Sequence, residues 1–154
     1  TQSPPPPADR PDGRPTQPFA LIAAPHTPFA ASGAIDFSQI PGQAEHLRAT
    51  GVDGAFIAGS TGEGSSLTDD ERRQLAEHWI AAKGTLKLFV HVGHNSVKAG
   101  HALARHAVDA GADCLAAAPT AWFPTTTVDQ LTATCAAITD GIEAPFYYYH
   151  IPIL

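Results

Sequence analysis

Five short apolar runs recur along this chain, each followed by a stretch of helical periodicity. They are FALIAA (19–24), GAFIAG (54–59), KLFVHV (87–92), CLAAA (114–118) and APFYYY (144–149). Their apolar residues are consecutive rather than alternating, the pattern of strands buried on both faces of a parallel sheet. Glycines at 51, 84, 111 and 141 close the helical stretches at spacings of 33, 27 and 30 residues. The segments ATGVDGAFIAG and DAGADCLAAAP resemble each other 60 positions apart. This is a βα repeat of about 30 residues. The 154 residues hold four and a half units and stop on a strand. Two α/β architectures fit: a doubly wound five-stranded sheet, or the first half of a (β/α)8 barrel of roughly 250 residues. The pattern alone leaves both open. In both, sites form at the C-terminal ends of the strands.

Four helices are expected between the runs. The first covers about Asp36 to Thr50, with Ile40, Ala44 and Leu47 on one face and Pro41 tightening its first turn. The second opens on the capping box Thr68-Asp69-Asp70-Glu71 and turns Leu75, Ala76, Trp79 and Ile80 inward. The third starts near Asn95 or Ser96, with Gly100, Leu103, Ala104, Ala107 and Val108 inward. The fourth opens on Thr127-Val128-Asp129-Gln130, read as a second capping box, with Val128, Leu131, Cys135 and Ile138 inward. Each helix ends near a glycine able to adopt positive φ.

Apolar residues make up 44% of the chain and the net charge is -6, which argues against nucleic acid or an anionic membrane surface as partner. Cys114 and Cys135 sit in apolar patterns and read as reduced core residues of a cytoplasmic protein. No apolar run reaches eighteen residues, and no basic-then-apolar leader opens the chain. The chain contains no methionine, so Thr1 is not an initiator. Residues 1–18, TQSPPPPADRPDGRPTQP, read as a disordered proline-rich tail, with a polyproline ligand as the alternative. The folded part is 19–154.

The most informative junction is GSTGEGSSLTDDERR (59–73), where glycines and hydroxyls meet a helix start. A phosphate loop requires lysine where Ser65 stands, and the glycine spacing fails the dinucleotide fingerprint. A smaller anion such as a carboxylate remains, beside the plain reading of a glycine-rich strand-to-helix turn. The second unusual segment is APFYYYHIPIL (144–154). Strand alternation sends Tyr147 and Tyr149 to one side and Tyr148 to the other. Tyr149, at the strand end, then overhangs the same mouth as Ser60 and Thr61, unless the tyrosines merely pack. His91 and His94 have an H-x-x-H spacing near the third strand. No carboxylate or cysteine completes a zinc-like set with them, and no metal site is expected. His91 reads as a strand residue near the mouth, and His94, His101 and His106 as helix-surface residues.

GSTGEGSSLTDDERR, HVGHN, PFYYYHIP and LIAAPHTPF together resemble the N-acetylneuraminate lyase and dihydrodipicolinate synthase superfamily of pyruvate-dependent class I aldolases. The resemblance runs from about Phe19 to Leu154. It implies a (β/α)8 TIM barrel, of which about the first four and a half βα units are present. It implies that Ser60 and Thr61 hold a keto-acid carboxylate, that Gly59 and Gly62 allow close approach, and that Glu63 braces the turn. Tyr149 corresponds to the family's proton-shuttling tyrosine. YYYHIP, and the lack of tyrosine in PTAWFPTT (119–126, with Trp122 and Phe123), resemble the sialic acid lyase side. The implied reaction is cleavage of N-acetylneuraminate to N-acetylmannosamine and pyruvate through a lysine Schiff base, without a cofactor. 4-Hydroxy-tetrahydrodipicolinate synthase, another keto-acid aldolase, or a truncated non-catalytic binding protein are the alternatives. The family's lysine stands on the sixth strand, and Lys83, Lys87 and Lys98 occupy none of the strands' C-terminal ends. The chain by itself is therefore expected to be inactive, and the full-length protein to be a homo-tetramer.

Overall fold

The computed structural model describes residues 20–118 and 125–151. Five strands, β1 (Ile22–Ala23), β2 (Gly54–Ile57), β3 (Lys87–His91), β4 (Cys114–Ala117) and β5 (Phe146–Tyr148), form one sheet in the order β1-β2-β3-β4-β5. Every pairing is parallel. A doubly wound sheet would place its first strand in the middle. The sequential order is that of a (β/α) barrel, here over four and a half units.

Four helices connect the strands: α1 (Ile40–Ala49), α2 (Asp69–Ala82), α3 (Val97–Ala110) and α4 (Val128–Ile138). Asp36 accepts the Ser38 N–H and opens a 3-10 turn, Phe37–Gln39, so α1 begins later than the periodicity suggests. Pro41 lies in the first turn of α1, where its missing N–H leaves no helical bond unmade. The capping box of α2 forms as expected: Thr68 accepts the Glu71 N–H and the Glu71 carboxylate accepts the Thr68 N–H. Ser96 caps α3. At α4 only half of the expected box forms. Thr127 accepts the Gln130 N–H, but the Gln130 side chain accepts from Thr126 instead. Val128, expected inside, is the first residue of α4 and is 77% exposed; Ile138, at the other end of the helix, is its buried residue.

One face of the sheet packs on the helices. Ala55, Ile57, Leu88, Val90 and Leu115 interleave there with Ile40, Ala44, Leu75, Trp79, Leu103 and Ala107 to form the core. The strand reading predicts burial on both faces. The structure buries β4 throughout, but on the opposite face Phe56 and Phe89 are half-buried, and Tyr147 and Tyr149 are exposed. The helices cover only the first face among the described residues. Gly51, Gly84, Gly111 and Gly141 all have positive φ, as their place at helix ends requires. Cys114 is buried and Cys135 half-buried, and both are free thiols. Among the described residues no helix is long and apolar enough to cross a membrane. The tail 1–18, Phe19, residues 119–124 with Trp122 and Phe123, and Pro152 lie outside the described residues.

Two glycines give opposite expectations. Gly42, exposed inside α1, has open space around its missing Cβ, so Gly42→Ala should stabilise by about 0.5–1 kcal/mol. At Gly54 a Cβ would stand 2.6 Å from the Lys87 carbonyl oxygen and 2.9 Å from Ile22. Gly54→Ala should therefore cost about 1–3 kcal/mol. Denaturant unfolding of both variants checks the pair.

Candidate active site

The chain leaves β2 through a turn that no regular element would tolerate. Ala58 and Glu63 both have positive φ, 55° and 53°, although neither is glycine. The turn closes on itself through Glu63 N–H to Ser60 O at 3.1 Å and Gly64 N–H to Gly59 O at 3.1 Å. A Cβ on Gly64 would lie 1.8 Å from the Ala58 carbonyl oxygen, so only glycine fits there. Gly62 faces the Ala58 nitrogen, and a Cβ on Gly59 would strike the Phe56 ring at 2.5 Å. The room left by Gly59 and Gly62 is thus taken up by the protein itself. Glu63 enters the turn through its backbone, and its side chain makes no capping hydrogen bond.

The result is a loop with buried glycines and an exposed crest of Ser60 and Thr61. The N–H groups of Ser60, Thr61 and Gly62 donate to no acceptor among the described residues. Two hydroxyls beside peptide N–H groups that find no acceptor among the described residues are donors of the kind that can bind a small anion.

Tyr149 extends β5, donating its N–H to Ala117 O at 2.8 Å, and its ring meets Phe56 edge-on at 5.5 Å. It is 45% exposed. Ser60, Thr61 and Tyr149 line one cavity of about 240 Å³ with Ile22, Ala24 and Phe56. Tyr147 packs edge-on against Phe89 on the same face, while Tyr148 turns toward α4. The alternation expected from the sequence is the one observed.

Beneath the mouth lies His91, a strand residue as expected, and with it Arg72, whose link to His91 is not evident from the sequence. The His91 imidazole is buried, and its Nε2 accepts the Ala118 N–H at 3.0 Å. The ring proton therefore sits on Nδ1, which approaches the Ala58 backbone without closing a full hydrogen bond. Arg72 of α2, also buried, donates to His91 O at 2.7 Å and Gly93 O at 3.1 Å. Burial and the Arg72 charge together push His91 down to about 4. Arg72 sits three residues before Leu75 and seven before Trp79, on the apolar face of the helix. That phase is the signal that this arginine is internal. His94 is not on a helix as expected but in the β3–α3 loop, where its Nδ1 accepts the Ser96 N–H. His101 bonds the Ile138 carbonyl, and His106 pairs with Glu77 at 2.9 Å. No group of three His, Cys, Asp or Glu among the described residues is placed to hold a metal ion.

A sequentially ordered parallel sheet with a glycine-hydroxyl loop and a phenol at its C-terminal mouth defines a protein of the (β/α)-barrel class. The dihydrodipicolinate synthetase family profile matches residues 17–154, and the chain belongs to that family. It is 42% identical over 139 residues to N-acetylneuraminate lyase of Homo sapiens, aligning 87% of this chain with 43% of the relative. The solved N-acetylneuraminate lyase of Proteus mirabilis is similar at 40% identity and TM-score 0.84, over 87% of this chain and 46% of that one. A prophage protein of the dihydrodipicolinic acid synthase family from E. coli K12, solved with pyruvate, matches at 27% identity and TM-score 0.81, over 90% and 47%. The chain thus spans a little under half the length of these relatives.

His91 gives a pH dependence whose sign is fixed. Unfolded, it titrates near 6.5, whereas the folded protein holds it at about 4. Its contribution is complete above about pH 6.5 and is lost as pH falls toward 4, at up to about 1.4 kcal/mol per pH unit. His91→Gln keeps an acceptor for Ala118 and removes the titration. Denaturant unfolding between pH 7 and 4 should therefore show a shallower loss of stability in the variant than in the parent.

Proposed function

We propose that the full-length protein is a keto-acid aldolase of the N-acetylneuraminate lyase type. It would cleave N-acetylneuraminate to N-acetylmannosamine and pyruvate by way of a lysine Schiff base. The observation that carries this reading is the single cavity lined by Ser60, Thr61 and Tyr149. The two hydroxyls and the neighbouring N–H groups bind the carboxylate of the keto acid. The Tyr149 phenol moves a proton to or from the substrate oxygen. Phe56 and Ile22 give the cavity an apolar wall, which strengthens both interactions by excluding water. The identity to lyases at 40% and above supports the lyase over the synthase branch. The pyruvate-bound relative supports a keto acid as the ligand. On this reading the enzyme is cytoplasmic, homo-tetrameric and free of cofactors.

The nucleophilic lysine is not among the three in the chain. Lys83 is held by Gly111 O at 3.0 Å and by the Asp113 carboxylate at 2.7 Å. Lys87 opens β3 at the end opposite the cavity, and Lys98 lies in the first turn of α3. Borohydride treatment of the 154-residue chain with pyruvate should leave all three unmodified by mass spectrometry. A version carrying the sixth strand and the rest of the barrel should gain one adduct. A stoichiometric adduct on Lys83, Lys87 or Lys98 would overturn this assignment.

Two substitutions in the full-length enzyme separate the roles. Tyr149→Phe should lower kcat by about 10²–10⁴-fold with little change in pyruvate affinity, because the phenol acts on a proton in flight. Thr61→Val should mainly raise KM. Unchanged turnover in Tyr149→Phe would eliminate the proton-transfer role.

A further inference from the structure

The loop that carries Ser60 and Thr61 is tied from outside by one buried hydroxyl. Thr27 is 4% exposed, and its Oγ1 donates to Gly62 O at 2.6 Å, across 35 residues of sequence. Thr27 is itself fixed on both sides. Before it, the Gln43 amide of α1 contacts His26 Nε2 at 3.2 Å and donates to His26 O at 3.3 Å. After it, Pro28 restricts Thr27 to extended backbone. The segment beyond is pinned by Asp36 N–H to Pro28 O at 2.8 Å, Ala30 N–H to Ala34 O at 2.8 Å and the Phe29–Ile35 bridge. The hydroxyl therefore reaches Gly62 with little freedom left to lose.

Gly62 O belongs to the peptide whose nitrogen is that of Glu63. Glu63 is held at φ 53°, a conformation that a non-glycine residue leaves readily when nothing prevents it. Rotation of that one peptide relieves the strain, but it swings Gly62 O away from Thr27 and breaks the Glu63 N–H bond to Ser60 O. That bond is one of the two that fold the crest into a turn, and the one that ends on Ser60 itself. The position of Ser60 and Thr61 thus depends on where Gly62 O is held.

We propose that Thr27 is a positioning residue for keto-acid recognition: its hydroxyl locks the Gly62–Glu63 peptide, and so holds the Ser60–Thr61 crest ready for a carboxylate. This rests on the aldolase reading of the cavity. Thr27 touches neither the cavity nor the proton-transfer group, so its effect falls on binding of the acid and not on the chemical step.

The test is steady-state kinetics of the full-length enzyme carrying Thr27→Val, Thr27→Ser or Thr61→Val, with thermal unfolding alongside. Valine keeps the shape and removes the donor, and serine keeps the donor. Thr27→Val should raise KM for the keto acid about tenfold, the size of one buried hydrogen bond, with kcat within about threefold. Thr27→Ser should bring KM back to within about threefold of the parent at similar thermal stability. If Thr27→Val does not fold, Thr27→Ala against Thr27→Ser gives the same contrast. An unchanged KM in the donorless variant overturns the proposal, as does a kcat loss with KM constant, or a KM rise that serine fails to rescue. If Thr61→Val also leaves KM unchanged, the carboxylate reading of the loop itself fails. If Thr61→Val raises KM and Thr27→Val does not, only the role of Thr27 fails.

Discussion

The contact between Gly64 and the Ala58 carbonyl is the constraint on which the mouth of this sheet depends. A Cβ at 64 would stand 1.8 Å from that oxygen, so the chain can pass only as bare backbone. The passage forces Ala58 and Glu63 into the left-handed region, at about 1–2 kcal/mol each. In return the chain reverses within a few residues of the end of β2. Ser60 and Thr61 are pushed out at the crest, while Gly62 and Gly64 are sealed beneath them. The same passage delivers Thr68 to the start of α2, where the capping box takes over. Strain stored in the turn is therefore offset by hydrogen bonds at both ends.

The architecture was legible in the sequence because it rests on local signals. Consecutive apolar runs, capping residues and a glycine after each helix repeat every thirty residues or so, and each reports on its own neighbourhood. The choice between an open doubly wound sheet and a barrel was not legible in the pattern, since it depends on which strands become neighbours. Motif resemblance settled it, and the strand order agrees. Ser60, Thr61 and Tyr149 were legible as candidates for a similar reason: they stand at strand ends, which periodicity locates. Thr27 and Arg72 were not legible as parts of the site, and His91 was legible only as a strand residue near the mouth, not by its partners. Their partners lie 35, 19 and 27 residues away, and no spacing rule encodes a side chain that reaches another strand's backbone. The Thr127 cap shows a local limit as well. Thr-x-x-Gln permits a reciprocal box, yet the Gln130 side chain is equally able to satisfy Thr126.

The two faces of the sheet divide the labour. Ala, Ile, Leu and Val on one face meet the helices and supply most of the buried apolar area. Phe56, Phe89, Tyr147 and Tyr149 occupy the other, where rings from β2 and β3 meet those of β5 edge-on over the intervening strands. Aromatic rings on a concave face can leave a cavity while still covering backbone, which small aliphatic residues there would not achieve. Phe56 belongs to both tasks: it packs against Gly59 at the base of the loop and carries Tyr149 above it. The cavity and the loop are thus coupled through one ring.

The end of β3 applies a further version of this logic. At the C-terminal end of β3, the carbonyls of His91 and Gly93 require donors. Arg72 supplies them from α2 through both Nη atoms, while its buried Nε makes no hydrogen bond. That charge then opposes protonation of the His91 ring, which burial already disfavours. A neutral ring leaves Nε2 as an acceptor, and the acceptor ties Ala118 at the exit of β4 to β3. A cation on the helix layer thereby sets the protonation state of a histidine that joins two strand ends. The groups facing the cavity need only be exposed at the right place. What fixes that place is a second set of hydrogen bonds, from Thr27 to β2's loop and from Arg72 and His91 to the ends of β3 and β4.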